Sequence, residues 1–155
     1  MDNILIENIA DIPEAEKKDN ERFQYRKKSF IKTNDRQKCV VAVYTLAPKK
    51  SNYPYHYHLT SEETFFVMSG QGMLDTPGGP KPVKKGDFMF FPSGENGAHK
   101  LTNVSATEDL VYIDFDTKDY VDVALYPKSN KIGVFSKGVH KVYRIDDDVP
   151  YYEGE

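Results

Sequence analysis

Short apolar stretches, separated by glycine and proline at intervals of about 8–12 residues, run through most of the chain. They include residues 38–46, 63–68, 88–91 and 109–116. Before residue 117, no stretch repeats apolar residues with the i, i+3, i+4 spacing of a helix over three turns. Short strands with such turns are typical of an all-β barrel or sandwich, and closure into a barrel removes exposed strand edges. The sequence therefore predicts an all-β barrel.

The 155 residues are enough for one domain with a sizeable core and two shorter flanking segments. Residues 1–22 are predicted to form an N-terminal arm, because their apolar content is too low for a core of their own. The barrel is predicted over residues 23–135, and a polar, acidic C-terminal extension over residues 136–155. Because the arm can pack across a second subunit and exposed strands need cover, we expect a homodimer.

Composition argues against several classes of partner. The net charge is −3, so binding to nucleic acid has no electrostatic support. No apolar run approaches the roughly 18 residues of a membrane span, and the N-terminus lacks the basic start and apolar core of a signal peptide. We therefore expect a cytoplasmic protein without nucleic-acid or membrane partners.

The single cysteine, Cys39, cannot form an internal disulfide and is predicted to be buried. The basic residues 26–28 are predicted to form a solvated face.

Two of the four histidines, His56 and His58, are two residues apart. If this segment is extended, both side chains project from the same face. A carboxylate, Glu63, follows five residues later, and Glu62 lies beside it. Imidazole and carboxylate groups together suit divalent first-row metals. By itself the pair could also belong to a surface loop or an interface, so its interpretation depends on the rest of the chain.

Two motifs, in the expected order, resemble those of the cupin superfamily. The first motif of that family is G(X)5HXH(X)3-4E(X)6G, and the second is G(X)5PXG(X)2H(X)3N. The matching residues here are His56-x-His58-x4-Glu63-x6-Gly70 and Gly86-x5-Pro92-x-Gly94-x4-His99-x3-Asn103. The sequence departs from the family by Lys50 in place of the opening glycine and by a two-residue expansion before His99, at the rim of the expected pocket.

The resemblance implies a double-stranded β-helix, or jelly-roll barrel, with His56, His58, Glu63 and His99 as metal ligands. The family's carboxylate lies seven residues before the motif glycine, which favours Glu63, while a shorter loop after His58 would bring in Glu62. Three imidazoles and one carboxylate leave one or two positions open on an octahedral ion, as a catalytic metal needs. Zn²⁺, Mn²⁺, Fe²⁺, Ni²⁺ and Co²⁺ are all compatible with these ligands.

Residues 20–135, and in particular 126–134, also resemble a group of small bacterial cupins labelled as candidate sugar-phosphate isomerases. That resemblance implies a metal-dependent isomerase acting on a small polar, oxygen-rich molecule, with Glu63 or Glu62 as base and Tyr55 as a positioning or acidic group. Two alternatives stay open. One is an Fe²⁺ dioxygenase with an aromatic pocket, for which the candidate lining residues are Phe65, Phe88, Phe90 and Phe91. The other is a non-catalytic, metal-dependent module that binds or senses a small acid or sugar.

Overall fold

The structure is a computed structural model that describes residues 4–32 and 37–155. Within these ranges the regular elements are β-strands and three 3₁₀ helices of three residues each. The strands are β1 (Glu14–Lys17), β2 (Tyr25–Ile31), β3 (Cys39–Leu46), β4 (Tyr57–His58), β5 (Glu63–Ser69), β6 (Gln71–Thr76), β7 (Gly79–Lys84), β8 (Phe88–Phe91), β9 (Lys100–Asn103), β10 (Leu110–Thr117), β11 (Val121–Tyr126), β12 (Lys131–Ser136) and β13 (Val139–Arg144). The prediction of an all-β fold is confirmed.

The strands form three antiparallel sheets that together make the barrel. The largest has the order β1-β2-β3-β10-β5-β8, and the other two are β13-β12-β11-β4 and β7-β6-β9. A short antiparallel bridge joins His56 to His99, with backbone N–H to carbonyl hydrogen bonds of 3.1 and 2.9 Å. Two residues that are far apart in sequence are thereby held side by side.

Alternation along the central strands separates the core from the outer surface. In β5, Glu63, Phe65 and Val67 are buried, and Phe66 and Met68 are exposed. The buried residues of β3, β5, β8 and β10 pack with those of β6, β7 and β9 into one apolar core. Because Glu63 lies on the inward face of this pattern, the strand carries a carboxylate into the barrel.

Gly70 makes the turn between β5 and β6 possible. Its φ is +83°, and a Cβ atom there would lie 2.4 Å from the carbonyl oxygen of Asp109. Only a residue without a side chain tolerates both the left-handed backbone and this close approach. The turn therefore depends on the motif glycine that the sequence places seven residues after Glu63.

Strands β1 and β13 extend the structure at both ends of the predicted barrel. β1 lies within the predicted arm and pairs with β2 of the same chain, with Glu14 opposite Lys28 and Glu16 opposite Arg26. β13 lies within the predicted C-terminal extension and pairs with β12. Both are exposed along their length. They lack the apolar alternation that marks a strand in sequence, because edge strands bury little and are held by backbone pairing and cross-strand charges.

β7 also has no strand pattern in the sequence, where its prolines argue against a strand. It contains Pro80 and Pro82, which cannot donate to a neighbouring strand. As an edge strand of the β7-β6-β9 sheet, β7 tolerates both prolines. Cys39 is half-buried rather than buried.

Candidate metal centre and its cavity

Three histidine side chains converge on the carboxylate of Glu63. The Nε2 atoms of His56 and His99 lie 3.9 and 3.4 Å from Oε2 of Glu63, and Nε2 of His58 lies 3.7 Å from Oε1. Candidate ligand atoms of His56, His58 and Glu63 all lie within 4.8 Å of one another. β4, β5 and the bridge between residues 56 and 99 supply these groups, so one end of the barrel gathers them. Glu62 is exposed and lies outside this cluster.

Each of the three imidazoles is held at its other nitrogen. Nδ1–H of His56 donates to the carbonyl oxygen of Pro54, and Nδ1–H of His99 donates to that of Gly97, both at 2.9 Å. A carbonyl oxygen only accepts, so these bonds leave Nε2 with its lone pair facing Glu63. Nδ1 of His58 lies 2.5 Å from Oδ2 of Asp122. A carboxylate behind an imidazole orients it as metal-binding histidines are commonly oriented.

Gly97 permits the close turn that holds His99. A Cβ atom at this position would lie 1.8 Å from the carbonyl oxygen of Pro92. The His99 ring stacks on Phe91, with centroids 3.7 Å apart, and is 1% exposed. Its Nε2 is nevertheless buried without a hydrogen-bond partner. An unpaired buried nitrogen is costly, and an ion bound beside Glu63 would satisfy it, so the residues present fit a metal centre.

Burial of the histidines and of Glu63 shifts their pKa values and so determines which of them carry a proton. It lowers the pKa of His56 to about 4 and of His99 to about 3, and the neighbouring histidines lower both further. Burial also raises the pKa of Glu63 to about 8. Burial by itself would lower the pKa of His58, but the hydrogen bond to Asp122 raises it above its usual value. Near neutral pH, His56 and His99 are therefore neutral and ready to act as ligands, whereas Glu63 retains a proton.

The cluster opens into a cavity of about 650 Å³. His56, His58 and Glu63 line it, and His99 lies behind them. Tyr126 covers the ring of His56, with stacked rings 5.8 Å apart. A cavity of this size accommodates a small molecule.

Tyr55 has a different environment from that of the histidines. Its ring lies under Nζ of Lys128, 4.4 Å from the ring centroid, and it is not among the residues that line the cavity. Its catalytic role stays a prediction.

The four phenylalanines named for an aromatic pocket are also absent from the cavity wall: Phe65 and Phe91 are in the core, and Phe88 and Phe90 face outward. That part of the dioxygenase interpretation is wrong, because Phe65 and Phe91 pack into the apolar core and the alternation of β8 turns Phe88 and Phe90 outward.

A chain of polar side chains forms another wall of the cavity. Nζ of Lys27 donates to the hydroxyl of Tyr44 at 2.6 Å. The Tyr53 hydroxyl lies 3.0 Å from that of Tyr44 and donates to Tyr25 at 3.0 Å. Lys27 is therefore half-buried and engaged inside the barrel, which corrects its assignment to a solvated face. The alternation of β2 turns it inward between two outward-facing basic neighbours.

Asp114, Asp116 and Asp122 are further polar residues of this cavity that sequence reasoning missed. A signal existed: each carboxylate interrupts an apolar strand, and Asp114 and Asp116 alternate in step with the buried Tyr112. A charged residue on the inward face of a strand is unusual unless it has a partner or a function. Without knowing which strands are neighbours, however, the sequence could not connect them to the histidines.

The fold and the site agree with the known family. Residues 42–116 match the sequence profile of the Cupin domain. This part of the chain is thus similar to a cupin domain, and the barrel is consistent with the double-stranded β-helix that the resemblance implied.

Individual relatives agree with this assignment. An uncharacterised protein of Aquifex aeolicus is 39% identical over 80 residues, which is 50% of this chain and 64% of that protein. The chain thus matches less than two thirds of that relative's length. A candidate sugar phosphate isomerase of Acidithiobacillus ferrooxidans is 27% identical, with a TM-score of 0.72, over 84% of this chain and 82% of that one. A sugar phosphate isomerase of Silicibacter pomeroyi, 17% identical, shares the fold with a TM-score of 0.80 over 94% and 96% of the two chains.

The described residues contain no helix that is long and apolar enough to cross a membrane.

Proposed function

We propose that this protein binds one divalent transition metal through His56, His58, Glu63 and His99 and acts on a small, oxygen-rich molecule. The observation that carries the proposal is the convergence of three Nε2 atoms on one buried carboxylate while each Nδ1 is held from behind. Three imidazoles and a carboxylate suit Zn²⁺, Mn²⁺, Fe²⁺, Ni²⁺ or Co²⁺. Such an ion supplies polarisation of a carbonyl or hydroxyl oxygen when it is bound.

The activity that we propose is the interconversion of an aldose phosphate and a ketose phosphate. The likeness to the Acidithiobacillus protein over 84% of this chain supports it, as does a cavity wall that offers both carboxyl and phenol groups. The reaction needs a group that moves a proton between adjacent carbons. Glu63, which is buried beside the cavity with its pKa raised by burial to about 8, is the candidate base in its ionised form, through an oxygen that the ion does not occupy.

Proton exchange with solvent provides a direct test of this activity. Metal-loaded protein is incubated in D₂O with a panel of aldose and ketose phosphates, and NMR follows both interconversion and deuterium at the carbon next to the carbonyl. Isomerisation through a proton transfer predicts both signals in the wild type and neither in His99→Ala. Failure of every pentose and hexose phosphate to exchange or convert would overturn the isomerase proposal and leave the metal site to be judged by metal analysis.

We also propose that two copies associate through the outer face of β5, β8 and β10. Phe66, Met68, Phe88, Phe90 and Phe115 on this face are 41–67% exposed. The outward positions of the three strands carry no charged side chain. Half-exposed side chains of this size contribute roughly 100 Å² each, so the five supply on the order of 500 Å², a large part of the roughly 800 Å² per partner of a stable dimer. An uncharged aromatic face suits a second copy of itself, related by a two-fold axis.

A further inference from the structure

Two carboxyl groups next to the candidate metal centre have oxygens without a hydrogen-bond partner. Asp114 and Asp116 both line the cavity. Asp114 is 5% exposed. Within the described part of the chain, Oδ1 of each has no partner. The two carboxyl groups also hydrogen-bond to each other. Because buried carboxyl oxygens are normally paired, the two Oδ1 atoms are open to a hydrogen-bond donor from a bound molecule.

Strand pairing places Asp114 and Asp116 beside the candidate metal centre. Asp116 lies opposite Glu63 in the register of β10 and β5, and Asp114 lies opposite Phe65. Side chains that face each other across antiparallel strands are about 5 Å apart at Cβ. A molecule that reached the metal ligands with one end would therefore present its next atoms to Asp116 and then to Asp114.

Lys27 lines the same part of the cavity as Asp114 and Asp116 but does not hydrogen-bond to the Oδ1 atom of either. Its Nζ donates to the Tyr44 hydroxyl and lies 4.6 Å from the centroid of that ring. Burial lowers its pKa, and the charges of Asp114 and Asp116 oppose that shift. The wall thus holds two carboxyl groups and one amine that is already engaged.

The chemistry of the wall distinguishes between classes of ligand. A hydroxyl group both donates and accepts hydrogen bonds, so a chain of hydroxyls can donate to the two open oxygens. An ionised dicarboxylate has no hydrogen-bond donor to offer to either oxygen. Burial raises the pKa of Asp114 well above its usual value, and a carboxyl that holds a proton can in turn donate to a hydroxyl oxygen.

We infer that Asp114 and Asp116 form a hydroxyl-binding subsite beside the metal centre, so that the ligand is a polyhydroxy compound and not a small dicarboxylate. The inference rests on the metal-centred site proposed above and identifies which residues beside it recognise the hydroxyl groups of the ligand. It assigns Asp114 and Asp116 to specificity, separately from the four metal ligands.

A matched pair of chelators tests the subsite. Acetohydroxamate and the hydroxamate of erythronic acid share one metal-binding group and differ in the hydroxyl-bearing chain. Calorimetric titration of zinc-loaded protein should give at least about tenfold tighter binding of the polyhydroxy hydroxamate, since hydrogen bonds to charged groups are worth about that much. Oxalate should bind more weakly than either.

Variants show whether the two carboxyl groups cause this preference. Asp114→Asn and Asp116→Asn keep the side-chain shape but replace an acceptor by a donor. Each substitution should reduce the ratio of the binding affinities for the two hydroxamates by about tenfold. Each should also strengthen oxalate binding. Asp109→Asn is the matched control: this carboxylate precedes β10, pairs with Arg26 at 2.6 Å outside the cavity, and should leave all three affinities unchanged.

Metal analysis of every sample separates the two proposals. If wild-type protein takes up no zinc, the metal-centred site itself fails and the subsite fails with it. If zinc is bound but wild-type protein holds both hydroxamates equally, the subsite alone is overturned. The wild-type comparison decides this even if a variant does not fold. Unchanged ratios in folded Asp114→Asn and Asp116→Asn would equally overturn it.

Discussion

Asp122 contacts the candidate metal centre through His58. Its Oδ2 lies 2.5 Å from Nδ1, and its Oδ1 accepts from the Thr60 hydroxyl at 2.9 Å. The hydrogen bond to His58 lowers the pKa of Asp122 below its usual range, although burial opposes the shift. The carboxylate would therefore fix the orientation and basicity of His58 as a ligand by holding its Nδ1.

Asp122→Asn is predicted to lower metal affinity without abolishing binding. Loss of such a supporting carboxylate typically costs about 10- to 100-fold in affinity. Competition with a chromophoric chelator measures the change, and Asp109→Asn serves as the control. Undiminished affinity in the Asp122→Asn protein would show that His58 needs no support from this side.

Metal affinity is predicted to rise with pH up to about 8. With its pKa raised to about 8, Glu63 holds a proton at neutral pH that an ion must displace. His56 and His99, with pKa values lowered to about 4 and 3, are already neutral and add nothing to the slope in this range. Lower pH therefore favours the protonated apo site, and higher pH favours the metal-bound one.

The expected slope is up to about tenfold in affinity per pH unit for each proton displaced. Calorimetry of zinc binding near neutral pH, in buffers that differ in ionisation enthalpy, should show at least about one proton released per ion. An affinity that did not change between about pH 6 and 8, with no proton release, would contradict the protonation state assigned to Glu63.

Strand β5 shows how much of the site could be predicted from sequence. Period-two alternation groups Glu63 with Phe65 and Val67 on one face of the strand, and the structure shows that this face is buried. The two motif segments likewise named residues that the fold brings to one place. The wall of Asp114 and Asp116 was missed because its importance depends on β10 lying next to β5, a pairing between strands some 50 residues apart that local pattern cannot specify. Edge strands β1, β7 and β13 were missed because they bury too little to leave a pattern.

The turn after β5 supports a stability prediction. Gly70→Ala should lower the free energy of unfolding by roughly 2–4 kcal/mol, because it combines a left-handed backbone with a Cβ atom 2.4 Å from the Asp109 carbonyl oxygen. Gly86→Ala is the matched control, with φ +91° and open space around the added atom, and should cost only about 1 kcal/mol. Urea denaturation of both proteins measures the difference, and equal losses would show that the contact with Asp109 is unimportant.

At the scale of the whole molecule, the uncharged outer face of β5, β8 and β10 should control the oligomeric state. Light scattering coupled to size exclusion should give twice the chain mass for the wild type. The double variant Phe88→Glu/Phe90→Glu should give a monomer, because four charges would be buried at a two-fold interface. Tyr151→Glu, on a side chain that is 88% exposed in the C-terminal tail, should remain dimeric. A monomeric wild-type protein at micromolar concentration would contradict the proposed interface.

The central claim is that His56, His58, Glu63 and His99 together hold one ion, and metal content tests it most directly. Untagged protein, purified without chelator or metal-affinity resin, is analysed by mass spectrometry as isolated and after reloading. We predict about one divalent transition metal ion per chain in the wild type. His56→Ala and His99→Ala should each lose it while staying folded by circular dichroism. A wild-type protein that holds no metal even after reloading, or full metal content in both variants, would contradict the account.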